Sequence, residues 1–285
     1  MSVTRADDLS AIGAHRTLGA VAIRLTGLPA VFDLVMSIPR ERWRRYLWLG
    51  AAVVLGCSVA RAWWIAVTAG FILPPAGVDF ATYQQAAIRF LSGLSFYHPW
   101  QLQGPYDVWA GSGINDPVLY PPLAIPLFAG FVYLPTVLYW LIPLATTAYC
   151  IVRLRPRPMA VVVCLLLVAW PSSLAMLAWT GNPTIWMVAA LSLAAVGSRW
   201  AAPLILIKPS LGLFAVWGFR SREWVLGTGL MILVGLAFAP LWFQYVVVLA
   251  NARQAGILYS IWHVPAMMIP IVAWLGSTRR RAVLT

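Results

Sequence analysis

The sequence predicts an all-α, polytopic bundle of about six to eight membrane segments, with a large first extracytoplasmic loop that carries interfacial helices. Three observations lead there. The chain is 61% hydrophobic and only 10% charged, with a mean hydropathy of +0.81; soluble domains are about a quarter charged, so this chain lacks the residues to cover a water-facing surface. Its apolar runs at 46–71, 159–178, 224–250 and 261–276 approach or exceed the roughly 20 helical residues that cross about 30 Å of hydrocarbon. Its charges are also one-sided, as set out below.

Seven arginines, from Arg5 to Arg45, precede the first apolar run. Arg153, Arg155 and Arg157, then Arg199, then Arg220 and Arg222, sit between later runs, and Arg279, Arg280 and Arg281 close the chain. With all of these on the cytoplasmic side, the outer side keeps only Arg89 and Arg253, which is the positive-inside asymmetry. The net charge of +12 is thus divided among short loops, which excludes a nucleic-acid surface and favours contact with anionic membrane lipids. No ten-residue alternation suggests an outer-membrane barrel. The first 45 residues lack the short apolar core of a signal peptide.

These assignments give a cytoplasmic basic arm (1–45), a transmembrane domain (46–278) and a basic tail (279–285), in a cell inner (plasma) membrane with the N-terminus cytoplasmic. Within the arm, Leu18, Val21, Ala22 and Leu25 have the spacing of a surface helix. The first span is followed by an outer loop over 73–119. Inside the loop, residues 80–94 have helical spacing, with Asp79 at the N-cap position and Gly93 ending the helix. The Gly-, Pro- and Trp-rich remainder reads as irregular. Residues 120–152, broken by four prolines, read as a short re-entrant or interfacial helix and one full span. Residues 159–178 return outward, 179–183 make a tight outer turn, and 184–196 go back in. Residues 201–219, with arginines on both sides, predict a hairpin of two short arms with Lys208-Pro209 at its tip. Spans from Trp224 and Ile261 complete the domain around an outer loop at 251–260.

Candidate chemistry gathers on the outer side. The acidic residues are Asp7, Asp8, Asp33 and Glu41 in the arm, Glu223 inside, and Asp79, Asp107 and Asp116 in the outer loop. With no carboxylate inside a span, an ion-coupled transporter is the weakest reading. Cys57, Cys150 and Cys164 lie in apolar runs without metal-ligand spacing, and no Asp-x-Asp pair or His cluster suggests a metal or another cofactor. Lys208 and Arg61 lie in apolar sequence, where such residues are functional, paired or snorkelling. His263 opens the last span as a polar cap or a proton carrier. Tyr83, Tyr97 and Tyr120, with Trp100 and Trp109, form an aromatic belt or stack on sugar faces.

The run Gly77-Val78-Asp79-Phe80-Ala81-Thr82-Tyr83, with Ala86-Ala87, Gly93 and Tyr97, resembles the first-loop signature of glycosyltransferase family 87. These are GT-C-type membrane mannosyltransferases that use polyprenyl-phosphate mannose. Tyr120-Pro121-Pro122 with Pro126, then Gly181-Asn182, then Lys208-Pro209 continue the resemblance in order, and 240–265 fits more loosely. The chain is shorter at its C-terminus than is usual in that family, and has Tyr259-Ser260 where an Asn-Gln-Ser-like motif is common. The resemblance implies a GT-C-like fold and an inverting transfer of mannose to a cell-envelope glycolipid or glycan on the outer face. In that reading Asp79 is the general base, although its position also fits a helix cap. Lys208, His263 and Arg61 would meet the donor phosphate, and Tyr83, Tyr97, Tyr120, Asn182, Arg89 and Arg253 the substrates. Asp79, Lys208 and His263 are then expected to converge on one outward-opening cavity. The alternative is a non-catalytic membrane protein that binds or moves lipid-linked saccharides.

Overall fold

The computed structural model describes residues 40–108, 117–253 and 261–278. The expectations for the arm up to residue 39, for Trp109, Asp116, Tyr259, Ser260 and for the tail from 279 lie outside these residues. The chain divides into two compact units, Met1–Gly50 and Ala51–Thr285, and the packing below concerns the second.

The described residues are mostly helical. Helix α1 runs over Arg40–Thr68. In the loop over 73–119, α2 (Val78–Leu91) and the short α3 (Pro99–Gln103) are followed by β1 (Tyr106–Asp107). A 3-10 turn at Pro122–Ala124 leads into α4 (Ile125–Tyr133) and then α5 (Val137–Leu154), the short helix and full-length helix expected of 120–152. Next come α6 (Pro158–Ala169), α7 (Leu174–Thr180) and α8 (Thr184–Ala195). Two 3-10 helices, Arg199–Ile207 and Pro209–Val216, form the hairpin. Then α9 (Arg222–Ala237), α10 (Ala239–Asn251), β2 (Ala252–Arg253), a 3-10 turn at Ile261–His263 and α11 (Val264–Leu275) complete the set.

By length and composition α1, over Glu41–Thr68, and α5 can each cross a membrane, and counting each bent helix pair as one span gives up to four. The six to eight membrane segments expected include short and broken ones, which this count of long spans leaves out. Helices Pro122–Tyr133, Thr184–Ala195 and Ile261–Leu275 are short, and two apolar runs expected to be single spans are broken. The run 159–178 bends by 41° between α6 and α7, and 224–250 bends by 86° between α9 and α10. Both breaks lie beside proline, Pro171 and Pro240, which lacks the amide hydrogen needed to continue the preceding helix ladder.

The core is built around α8, where Ile185, Val188 and Leu191 are fully buried. Helix α8 packs on α5, on α11 and on the first 3-10 helix, which in turn packs on α9. That last approach is very close: a β-carbon on Gly227 would stand 2.2 Å from the Trp200 carbonyl oxygen. The 3-10 form also changes the reach of the hairpin. At about 2.0 Å per residue, nine residues extend about 18 Å, against about 13.5 Å as an α-helix. Each arm is therefore longer than a simple helical estimate allows.

The described residues of the loop over 73–119 are tied to the helical domain by specific bonds. Tyr106 and Asp107 pair in parallel with Ala252 and Arg253, and the Asn251 side chain donates to the Gln101 carbonyl at 2.9 Å. Gln101 is fully buried and donates to Tyr106 and to the Val118 carbonyl. These bonds, together with Ser95 donating to Gln244 at 2.7 Å, fasten the loop to α10.

Candidate functional site

Asp79 does not cap the loop helix. The N-cap is Gly77, at φ 70°, and the helix starts at Val78. The reason is local: the Gly77 amide donates to the Trp179 carbonyl at 2.8 Å, so the chain is pinned to the end of α7 before the helix begins. Asp79 then falls in the first turn, and its side chain reaches away from its own backbone. Its Oδ2 accepts from Thr180 Oγ1 and Asn182 Nδ2, both at 2.8 Å. Oδ1 makes no hydrogen bond to a described residue, and the side chain is half-buried.

The partner segment is shaped by Gly181. It ends α7 at φ 71°, and the Asn182 amide reaches back to the Leu177 carbonyl at 2.8 Å, as in a Schellman closure. A β-carbon at Gly181 would stand 2.7 Å from Phe80 Cβ and 2.8 Å from the Trp140 ring. Glycine is therefore required both by the left-handed backbone and by close packing. The Tyr139 hydroxyl donates to the Gly181 carbonyl at 3.0 Å, and Trp140 Nε1 donates to Ala178 at 2.7 Å, which holds the turn against α5.

Asn182 joins the carboxylate to a buried cation. A carboxylate only accepts, so the amide nitrogen must face Asp79 and Oδ1 must face the other way. There Oδ1 accepts from Thr184 N at 3.1 Å and Thr184 Oγ1 at 2.7 Å. Lys208 Nζ at 3.4 Å and the Tyr120 hydroxyl at 3.5 Å are longer contacts to the same oxygen. Lys208 Nζ also donates to Thr184 Oγ1 at 3.0 Å and to His263 Nδ1 at 2.9 Å, and lies 5.3 Å from the centre of the Tyr120 ring. With Lys208 as an ammonium, which has donors only, Nδ1 of His263 accepts and the imidazole proton sits on Nε2. Lys208 is 1% exposed. Its place at the hairpin tip follows from Pro209, which forces the preceding residue into the extended φ −125°, ψ 87° that separates the two 3-10 helices.

The structure thus brings Asp79, Asn182, Tyr120, Lys208 and His263 into one hydrogen-bonded cluster. It adds Thr180 and Thr184, which the sequence reading did not single out. The sequence shows only two hydroxyl residues flanking the Gly-Asn-Pro turn, with nothing to mark their partners.

The other candidates lie apart from this cluster or serve the loop. Arg61 is exposed on α1 and makes no hydrogen bond to a described residue. Arg253 is exposed at the end of β2. Arg89 donates to the Phe96 carbonyl at 2.9 Å, and burial lowers its pKa. Beside it, burial and then the Arg89 charge hold His98 down to about 4. Tyr97 is fully buried with its hydroxyl on the Tyr120 carbonyl at 2.9 Å, and Tyr83 stacks on Phe128 at 4.9 Å. Tyr83 also stands edge-on to Tyr120 at 4.8 Å, so both tyrosines contact the residue that borders Lys208. The expected convergence of Asp79, Lys208 and His263 is present; two cavities of about 460 and 220 Å³ are lined by other residues.

No family model, curated protein or solved structure matches the chain.

Proposed function

We propose that the chain is an integral membrane glycosyltransferase that moves a sugar, mannose by the resemblance above, from a polyprenyl phosphate to a glycolipid or glycan. One observation carries this reading: a half-exposed carboxylate is linked through a single amide to a buried lysine and a histidine. Such a transfer needs a base for the acceptor hydroxyl and positive charge or donors for the departing phosphate. Asp79 Oδ1 takes the hydroxyl proton while the acceptor oxygen bonds to the anomeric carbon. The bond from that carbon to the phosphate oxygen breaks on the opposite side, and its electron pair leaves with the phosphate.

Lys208 contributes to the second half of this chemistry differently from a surface cation. Its ammonium is enclosed by Thr184, Asn182 and His263, so His263 Nε2–H is the group offered to a phosphate. Lys208 holds the ring in that tautomer and adds charge at low dielectric. Arg61 stands outside this arrangement.

In membranes supplied with labelled polyprenyl-phosphate mannose, Asp79→Asn should lower transfer by about 10²- to 10⁴-fold, the usual worth of a general base, with thermal unfolding little changed. Transfer retained by this variant removes Asp79 as the base. The enclosure of Lys208 favours the second reading, a protein that binds or moves lipid-linked saccharides without chemistry. No transfer by the wild type from any polyprenyl-phosphate sugar would select it.

A further inference from the structure

One face of α1 packs on α6. Ala52 and Val59 are buried, a β-carbon on Gly56 would stand 3.9 Å from the Leu166 side chain, and Trp63 Nε1 donates to the Ala169 carbonyl at 2.8 Å. The opposite face is open: Val54, Cys57, Arg61, Trp64 and Thr68 are all exposed. Their alternating spacing of three and four residues draws one stripe along the helix, the spacing of a helix–helix seam. Ionisable residues in membrane-crossing helices almost always face protein or a water-filled cavity. Arg61 instead stands in the middle of the open stripe, and it makes no hydrogen bond or ion pair to a described residue.

Its depth makes that exposure costly. With α1 as the span that its length and composition allow, the arginines at 40, 42, 44 and 45 mark one boundary of the hydrocarbon. At 1.5 Å per residue Arg61 lies about 24 Å from Arg45, and so about 6 Å inside the far boundary of a roughly 30 Å core. A helical side chain leaves its Cα tilted toward the helix N-terminus. That tilt aims Arg61 at the middle of the hydrocarbon, away from the nearer headgroups, and works against snorkelling. We infer that this stripe docks a transmembrane helix of a different protein, one that sets an aspartate or glutamate beside Arg61. The charge decides the occupant. A second copy lying parallel along the stripe sets Arg61 against Arg61, and none of the eight acidic residues of this chain falls inside an apolar run to offset the pair. A carboxylate on a partner helix meets the planar guanidinium with two parallel hydrogen bonds and cancels its charge.

The test puts the photoreactive residue p-benzoylphenylalanine in place of Trp64, or of Val54, in the full chain within the cells it comes from, and identifies what it crosslinks in the intact membrane. The expected product is an adduct with one other protein, the crosslink lying in a transmembrane segment that contains aspartate or glutamate. Arg61→Leu should lower the yield of this adduct at least about tenfold, as removal of one partner of a buried charge pair does. Exchanging the charges, Arg61→Glu here and arginine for the acidic residue of the partner, should restore it. Leucine inserts more readily than arginine at this depth, so the loss is not one of insertion. Adducts with lipid alone overturn the inference and leave Arg61 snorkelling. A crosslink to a second copy, or one within the chain, also overturns it. So does an adduct whose yield Arg61→Leu leaves unchanged, because the charge then plays no part in recognition.

Discussion

Gly181 and Asn182 show how much of the site rests on single atoms. The Gly181 backbone is in the left-handed region, and two aromatic side chains occupy the space a methyl group would need. Gly181→Ala combines about 1 kcal/mol of backbone strain with about 1–3 kcal/mol of overlap. It should therefore destabilise the chain by about 2–4 kcal/mol, read as a lowered unfolding midpoint in detergent. Gly93→Ala is the control, because it shares the positive φ but has nothing within 4 Å; it should cost only the strain. Equal losses for the two variants would mean that the Phe80 and Trp140 contacts do not constrain the turn. The Gly-Asn pair was legible in the sequence, because a turn between two apolar runs needs such residues. Thr180 and Thr184 were not, because a hydroxyl on a helix end acquires a partner only when Asp79 and Lys208 arrive from distant segments. Asp79 was legible as a residue and misread as a cap: spacing alone cannot reveal that the Gly77 amide is already spent on Trp179.

At the level of elements, hydropathy located the apolar runs and missed their bends. A continuous apolar composition is shared by a straight span and by two helices meeting at 86°, and Pro240 and Pro171 were the available warnings. The hairpin was legible in position, since arginines bound it and Pro209 follows Lys208. Its 3-10 form was not, because it answers to packing against α9. That packing can be tested at Gly227, where a β-carbon would overlap the Trp200 backbone carbonyl. Backbone cannot rotate aside as a side chain can, so Gly227→Ala should cost at least about 1–3 kcal/mol and loosen the hairpin that carries Lys208. Gly229, two residues on, has nothing within 4 Å, and Gly229→Ala should be neutral or slightly stabilising, given the better helix propensity of alanine. Thermal unfolding of the two variants side by side measures the difference. Equal midpoints would mean that α9 and the hairpin are not held in this contact.

Across the whole bundle, the polar cluster and the arginines occupy opposite ends of the same helices. Thr184 begins α8, and that helix leads to Arg199. His263 precedes α11, whose far end is tied to the α5–α6 turn: the Arg157 amide donates to Gly276 at 3.1 Å, and the Thr278 amide donates to Arg155 at 3.3 Å. Because α8 packs on both α5 and α11, the arginines at 153–157 and 199 lie at one end and Asn182 and His263 at the other. We propose from the charge asymmetry that the arginine end faces the cytoplasm, which would put the site on the outer face. Two engineered cysteines test this in a Cys57→Ser background, since Cys150 and Cys164 are buried. Asp107 and Arg222 are both exposed positions. Asp107→Cys should react with a membrane-impermeant maleimide on intact cells, and Arg222→Cys only after the membrane is opened. The reverse pattern would put Asp79 and His263 on the cytoplasmic side, where a sugar donor need not be lipid-linked, and the proposed transfer from polyprenyl phosphate on the outer face would fall with it.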